Sequence, residues 1–284
     1  MTHNDSRAHP DDTPAEALHA AHDGTVDVTG TPPKYHVDFD EKSLKKQKFT
    51  AGFVAPAAGV IFRLFGRCQV LGDEHIPPSG QPAIFVAYHA SYLDPVLIGL
   101  VLWHRGRLPH YLAKSPLFTG VLGAGLKAIG QIPVLRDSVH AGGSLVYARA
   151  ALEGGQAIVI YPQGTLTKDP DLWPQASKSG AARLALSTGA PLIPVAHWGL
   201  DRSMPAGAKI PKPRPRDTLR VAFGPAIDYS DLDGLTTTAN IRTLTNRVTS
   251  HIAAELAVLR GERMPERFRA DYRPVAGRTE GDTA

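Results

Sequence analysis

The 284-residue chain is 43% hydrophobic and 20% charged, enough apolar material for one sizeable core plus tails. Its single cysteine, Cys68, excludes an intramolecular disulfide and suits a reducing cytosol. The net charge of +4 hides an asymmetry: residues 1–42 hold nine acidic and three basic side chains, leaving 28 basic against 18 acidic, a net of +10, elsewhere. Such a basic body suits anionic partners (phospholipid surfaces, phosphorylated substrates, coenzyme A or nucleic acid), and charge alone does not choose among them.

Residues 1–42 are rich in Asp, His, Thr, Ala and Pro, without apolar periodicity, and read as a disordered acidic tail. His3, His9, His19 and His22 have no spacing that fixes a metal geometry. The polar start lacks the pattern of a secretory signal. Over 43–66, Lys42, Lys45, Lys46 and Lys48 flank an apolar stretch bearing Phe49, Phe53, Phe62 and Phe65. Pro56 and Arg63 interrupt that stretch, which falls short of the roughly 20 residues needed to span a bilayer. A helix lying in the membrane interface is expected, the alternative being a helix packed on the protein's own core.

From Arg67 the pattern alternates. Short apolar runs predict strands over 68–71, 83–88, 111–113, 132–134, 157–161, 192–196 and 219–223. Helices are expected over 95–104, 117–128, 141–153, 178–188 and 239–259. Alternating strands and helices imply one α/β domain, over 67–260, with a mixed, largely parallel sheet flanked by helices. Residues 261–284 read as a loosely ordered tail, and Lys209–Arg216 as a proline-broken basic loop. That loop has no interleaved aromatic residues, so no nucleic-acid partner is expected. Gly123, Gly125 and Gly130 lack the spacing of a dinucleotide fingerprint, and Cys68 reads as a packing residue.

The chemistry gathers at strand ends. Ala83–Tyr88 is a buried strand, His89 lies at its end, and Asp94-Pro95 opens a helix, proline being favoured in the first turn and Asp just before it. A carboxylate against one imidazole nitrogen fixes the tautomer and frees the other nitrogen to accept a proton, which makes His89 a candidate general base. Lys114, Arg136 and the turn Gln163-Gly164-Thr165 end later strands. If those strands are parallel, all converge on one rim, where ligands of open α/β sheets gather. His197 and Trp198 follow another buried strand and read as core or rim packing.

His89-Ala-Ser-Tyr-Leu-Asp94 resembles the His-x4-Asp motif of the glycerolipid acyltransferases. Gly130-Gln-Ile-Pro-Val-Leu-Arg136, Tyr161-Pro-Gln-Gly-Thr165 and Leu192-Ile-Pro-Val195 resemble their second, third and fourth blocks, in the family's order, over roughly residues 45 to 230. Within that family the chain resembles the bacterial 1-acylglycerol-3-phosphate acyltransferases. The resemblance implies transfer of a fatty acyl group, from acyl-CoA or an acyl carrier protein, to the hydroxyl of lysophosphatidic acid in phospholipid biosynthesis. His89 would be the base and Asp94 its partner, with Lys114 and Arg136 on the acceptor phosphate. Gln163, Gly164 and Thr165 would line the acceptor. Neither metal nor cofactor is implied. The implied location is the cytoplasmic face of the cell membrane, peripheral or monotopic.

Two positions depart from the family's Phe-Pro-Glu-Gly-Thr-Arg-Ser: its glutamate is Gln163 and its arginine Leu166. Lys168, Lys178 and Arg183 are candidate replacement cations. The departures leave open a different lysophospholipid or glycerol 3-phosphate as acceptor, or a lipid-binding protein that no longer catalyses.

Overall fold

The computed structural model describes residues 37–134 and 141–274. Arg136 lies outside them, as does most of the acidic tail. Seven strands, β1 (Arg67–Leu71), β2 (Ala83–Ala87), β3 (Pro109–Lys114), β4 (Ile132–Val134), β5 (Ala157–Ile160), β6 (Leu192–Trp198) and β7 (Thr218–Phe223), form one sheet in the order β1-β7-β6-β2-β5-β3-β4. All pairings are parallel except β6 with β7. The sheet is therefore mixed and largely parallel, as the alternating pattern implies. The helices are α1 (Glu41–Phe62), α2 (Asp94–His104), α3 (Gly120–Ala128), α4 (Ala141–Glu153), α5 (Gly180–Thr188) and α6 (Thr238–Arg260).

Period-two alternation sends successive strand residues to opposite faces. Ile84, Val86 and Tyr88 join the core beneath α4, α5 and α6, while Ala83, Phe85 and Ala87 join Leu97, Ile98, Val101 and Leu102 of α2. Both faces of β2 are buried, which explains its unbroken apolar run. Phe85 meets Phe223 edge-to-face at 5.9 Å. Truncating such a buried ring to alanine costs about 3–5 kcal/mol.

Asp40 starts α1, accepting from the Ser43 N–H at 2.8 Å and from its hydroxyl. The helix passes through Pro56 unbroken, and with the following 3₁₀ turn the helical run extends from Glu41 to Phe65, 25 residues with mean hydropathy 1.3 in its apolar window. By length and composition it is able to cross a membrane, which corrects the expectation that it is too short. Phe62 and Phe65 are buried in the α2-side core, whereas Phe49 and Phe53 are 70% and 67% exposed. Val121 and Leu122 of α3 are exposed too.

Two further expectations are corrected. Cys68 lies exposed on the edge strand β1, so it is not a packing residue. Beyond α6, Met264 and Phe268 fold back into the core, so the stretch from 261 is packed at least that far; residues 275–284 lie outside the described part.

Candidate active site

β5, β2 and β6 are adjacent and parallel, and each ends on the same rim. Ala157 and Val159, Phe85 and Ala87, and Ile193 and Val195 all face α2. Two residues further along, period two delivers Tyr161, His89 and His197 to that face.

Asp94 is the first residue of α2, and its carboxylate turns back into the preceding turn rather than forward over the helix. Its Oδ2 accepts from the backbone N–H groups of Ala90 and Ser91, both at 3.1 Å. His89 Nδ1 lies 3.0 Å from Oδ2 and 3.1 Å from Oδ1. An ionised carboxylate is acceptor-only, so Nδ1 carries the proton and Nε2 keeps its lone pair. The His89 side chain is 16% exposed, and among the described residues Nε2 has no hydrogen-bond partner. Asp94 is fully buried. Burial pushes its carboxyl up, but the interactions with His197 and then His89 overcome that and bring it down to about 2.

His197 is the residue that local sequence reasoning missed. Its Nε2 lies 3.0 Å from Asp94 Oδ2. The ring is 1% exposed and packs on Tyr88, 5.3 Å between centroids. The Tyr161 ring lies 4.2 Å from the His89 ring, and Tyr111 stacks on Tyr161 at 6.2 Å. Burial, with the Asp94 charge adding to it, pushes both phenols well above their ordinary range, so both are neutral.

The Gln163 turn wraps the backbone of His89. Gln163 Oε1 accepts from the His89 N–H at 3.3 Å, and the Thr167 N–H donates to the His89 carbonyl at 2.8 Å. Gly164 has φ +72°, a conformation that costs glycine little. A Cβ there would meet Lys178 Cε at 3.2 Å and Nζ at 3.3 Å. Lys178 is held in place because its N–H donates to the Pro162 carbonyl at 2.8 Å. Its ammonium makes no ion pair among the described residues. Thr165 is half-buried in the same turn, and Leu166 is buried in the protein. Of the other candidate cations, Lys168 is exposed, and Arg183 is also exposed and bonded to Ser179 at 3.4 Å. Lys114 ends β3, exposed on the same rim. Arg136, two residues beyond the end of β4, lies outside the described residues.

Together these groups form a rim with one open imidazole nitrogen backed by a buried anion, a glycine-containing turn, and cations at its edge. That arrangement can deprotonate a hydroxyl while holding an anionic group nearby. Residues 67–198 match the Acyltransferase family. Similar curated proteins are chloroplast 1-acyl-sn-glycerol-3-phosphate acyltransferases. The Brassica napus protein is 28% identical over 64% of this chain and 50% of its own length. The Arabidopsis thaliana protein is 28% identical over 51% and 40%. The chain thus spans about half the length, or less, of the curated relatives it matches. The fold is shared with the 1-acyl-sn-glycerophosphate acyltransferase PlsC of Thermotoga maritima, with a TM-score of 0.56 and 20% identity over 74% of this chain and 81% of that one.

Proposed function

We propose that the protein transfers a fatty acyl group from an acyl thioester, acyl-CoA or acyl carrier protein, to the free hydroxyl of lysophosphatidic acid, giving phosphatidic acid. The observation that carries this reading is His89, with Nδ1 on Asp94 at 3.0 Å and Nε2 open at the rim. Nε2 takes the proton of the acceptor hydroxyl as its oxygen attacks the thioester carbonyl. Asp94 stabilises the imidazolium that forms. As the tetrahedral intermediate collapses the C–S bond breaks, and the imidazolium returns its proton to the leaving thiolate. No covalent enzyme intermediate and no cofactor are needed. The names of the curated relatives support the acceptor class.

Lys178 and Lys114 are the cations proposed to meet the acceptor phosphate, with Arg136 a further candidate from the sequence. Gln163, Gly164 and Thr165 line the acceptor, the glycine allowing close backbone approach. The exposed apolar residues of α1 and α3 support attachment to a membrane surface, proposed to be the cytoplasmic face of the cell membrane. The burial of Leu166 favours a second reading, in which the chemistry is kept but the acceptor differs, because no guanidinium stands at that point of the turn.

The test is acyl transfer by the purified protein from labelled long-chain acyl-CoA to a panel of lysophosphatidic acid, lysophosphatidylinositol, glycerol 3-phosphate and monoacylglycerol. Phosphatidic acid formed by the wild type and lost in His89→Ala supports the proposal. Product only from another acceptor moves the substrate to the second reading. Undiminished transfer by His89→Ala overturns the mechanism.

A further inference from the structure

The geometry points to His197 as a positioning residue that locks the Asp94 carboxylate from the side opposite His89, through a hydrogen bond donated by Nε2–H. This inference rests on the reading of His89 as the base.

Asp94 Oδ2 is crowded: the N–H groups of Ala90 and Ser91, His197 Nε2 and His89 Nδ1 all lie within 3.1 Å of it. Oδ1 accepts from His89, at 3.1 Å. The two backbone donors belong to the turn that carries His89 itself and move with it. His197 is different. It comes from β6, 103 residues away, and is anchored by the sheet through the Ala87–Val195 register. A donor fixed to a second strand converts a carboxylate that could swing with its turn into one held in the frame of the sheet.

The surroundings of His197 choose its tautomer. Nδ1 is buried and has no hydrogen-bond partner among the described residues, so a proton there would be stranded. The neutral ring with its proton on Nε2 leaves only an unpaired lone pair and satisfies the anion. The pair of imidazoles around Asp94 therefore divides its work. His89 points its second nitrogen to the open rim, whereas His197 points its second nitrogen into the buried interior, its ring packed on Tyr88. Only the first can exchange a proton with a substrate; the second holds the anion still.

Three variants of the full-length chain test this: His197→Gln, whose amide N–H reaches near the position of Nε2, His197→Leu, which fills similar space without a donor, and His197→Leu in an Asp94→Asn background. Each is measured per folded molecule. The expected result for His197→Leu is a fall in kcat of about tenfold or more with KM for both substrates within about twofold, as for groups that orient a reacting residue. His197→Gln should recover most of it. In the Asp94→Asn background the same change should cost about twofold or less, since its target is already altered. Unchanged kcat in folded His197→Leu overturns the proposal, as does an equal loss in both backgrounds.

An activity-independent measurement stands beside these. In ¹⁵N-histidine spectra of the whole chain, assigned by the substitutions, His197 should carry its proton on Nε2 and His89 on Nδ1. The His89 Nδ1–H signal should broaden by exchange with water in His197→Leu. A proton on His197 Nδ1, or a His89 signal untouched by the substitution, overturns the positioning role. Because the spectra need no acyl transfer, a wrong acyltransferase reading and a wrong positioning role give different patterns.

Discussion

Gln163 accepts a hydrogen bond from the backbone N–H of His89 at 3.3 Å, while its own Nε2 lies buried without a partner among the described residues. The acceptor end of the side chain thus serves the turn that carries His89, and the donor end is unused. Glutamate would keep the acceptor and remove the orphaned donor. Gln163→Glu is therefore expected to retain acyl transfer within about threefold of wild type or to raise it, whereas Gln163→Leu, which removes the acceptor, should lower kcat about tenfold. Steady-state kinetics on the three proteins decides between these outcomes.

His89→Ala removes the group that, among the described residues, has an open basic nitrogen backed by Asp94. Transfer should fall by at least about 10²–10⁴-fold, the range for a positioned general base. Asp94→Asn should lower kcat comparably and also destabilise the fold, since an amide N–H would face other donors.

Lys178 sits over Gly164, and its ammonium makes no ion pair among the described residues, so its partner is expected to be the acceptor's phosphate. Lys178→Ala should raise KM for lysophosphatidic acid about tenfold with kcat nearly unchanged, and leave any transfer to monoacylglycerol unaffected. Equal losses for charged and uncharged acceptors would show that Lys178 supports the turn instead.

Removing residues 43–66 altogether would also strip Phe62 and Phe65 from the core. The exposed face of α1 is better tested by Phe49→Ser with Phe53→Ser, which alter only exposed rings. Co-sedimentation with liposomes should weaken several-fold while the melting temperature holds. Undiminished binding would place the membrane contact elsewhere.

His110 is fully buried, with Nδ1 against the Gly130 carbonyl at 2.8 Å. Burial pushes its pKa down to about 4. The unfolded chain therefore binds this proton more readily than the folded one, and the stability held above about pH 6.5 is lost as pH falls toward 4, on the order of a few kcal/mol. Urea midpoints at pH 7.5 and 5 should differ less in His110→Leu than in wild type, even though that variant is weaker at neutral pH. Asp94, down to about 2, adds a second loss at lower pH, between about 4 and about 2.

The strands and helices were legible because buried strands are continuous apolar runs bounded by Gly and Pro, and their ends fell within a few residues of the observed ones. His89 and Asp94 were legible for a local reason: five residues of turn suffice to bring them together. His197 was not, because its partner depends on β6 lying beside β2 and no local window contains that pairing. The one available signal was parity: His197 lies two residues beyond Val195 as His89 lies two beyond Ala87, and those two pair. Cys68 was misread because edge and central strands look alike over five residues. The length of α1 was misread because Pro56 was given the weight of a helix breaker, whereas the helix continues through it. Lys178 needed the chain between 166 and 178 to fold back over Gly164.

Helix α1 packs on α2, with Gly59 against Leu100, and α2 begins at Asp94. One helix therefore separates the exposed apolar face of α1 from the carboxylate of the site. With that face on a lipid surface, as proposed, the protein would search for its acceptor in two dimensions. Its rate should follow the mole fraction of lysolipid within the surface rather than the amount in the tube, so diluting the acceptor with inert phospholipid at constant total lysolipid should slow turnover.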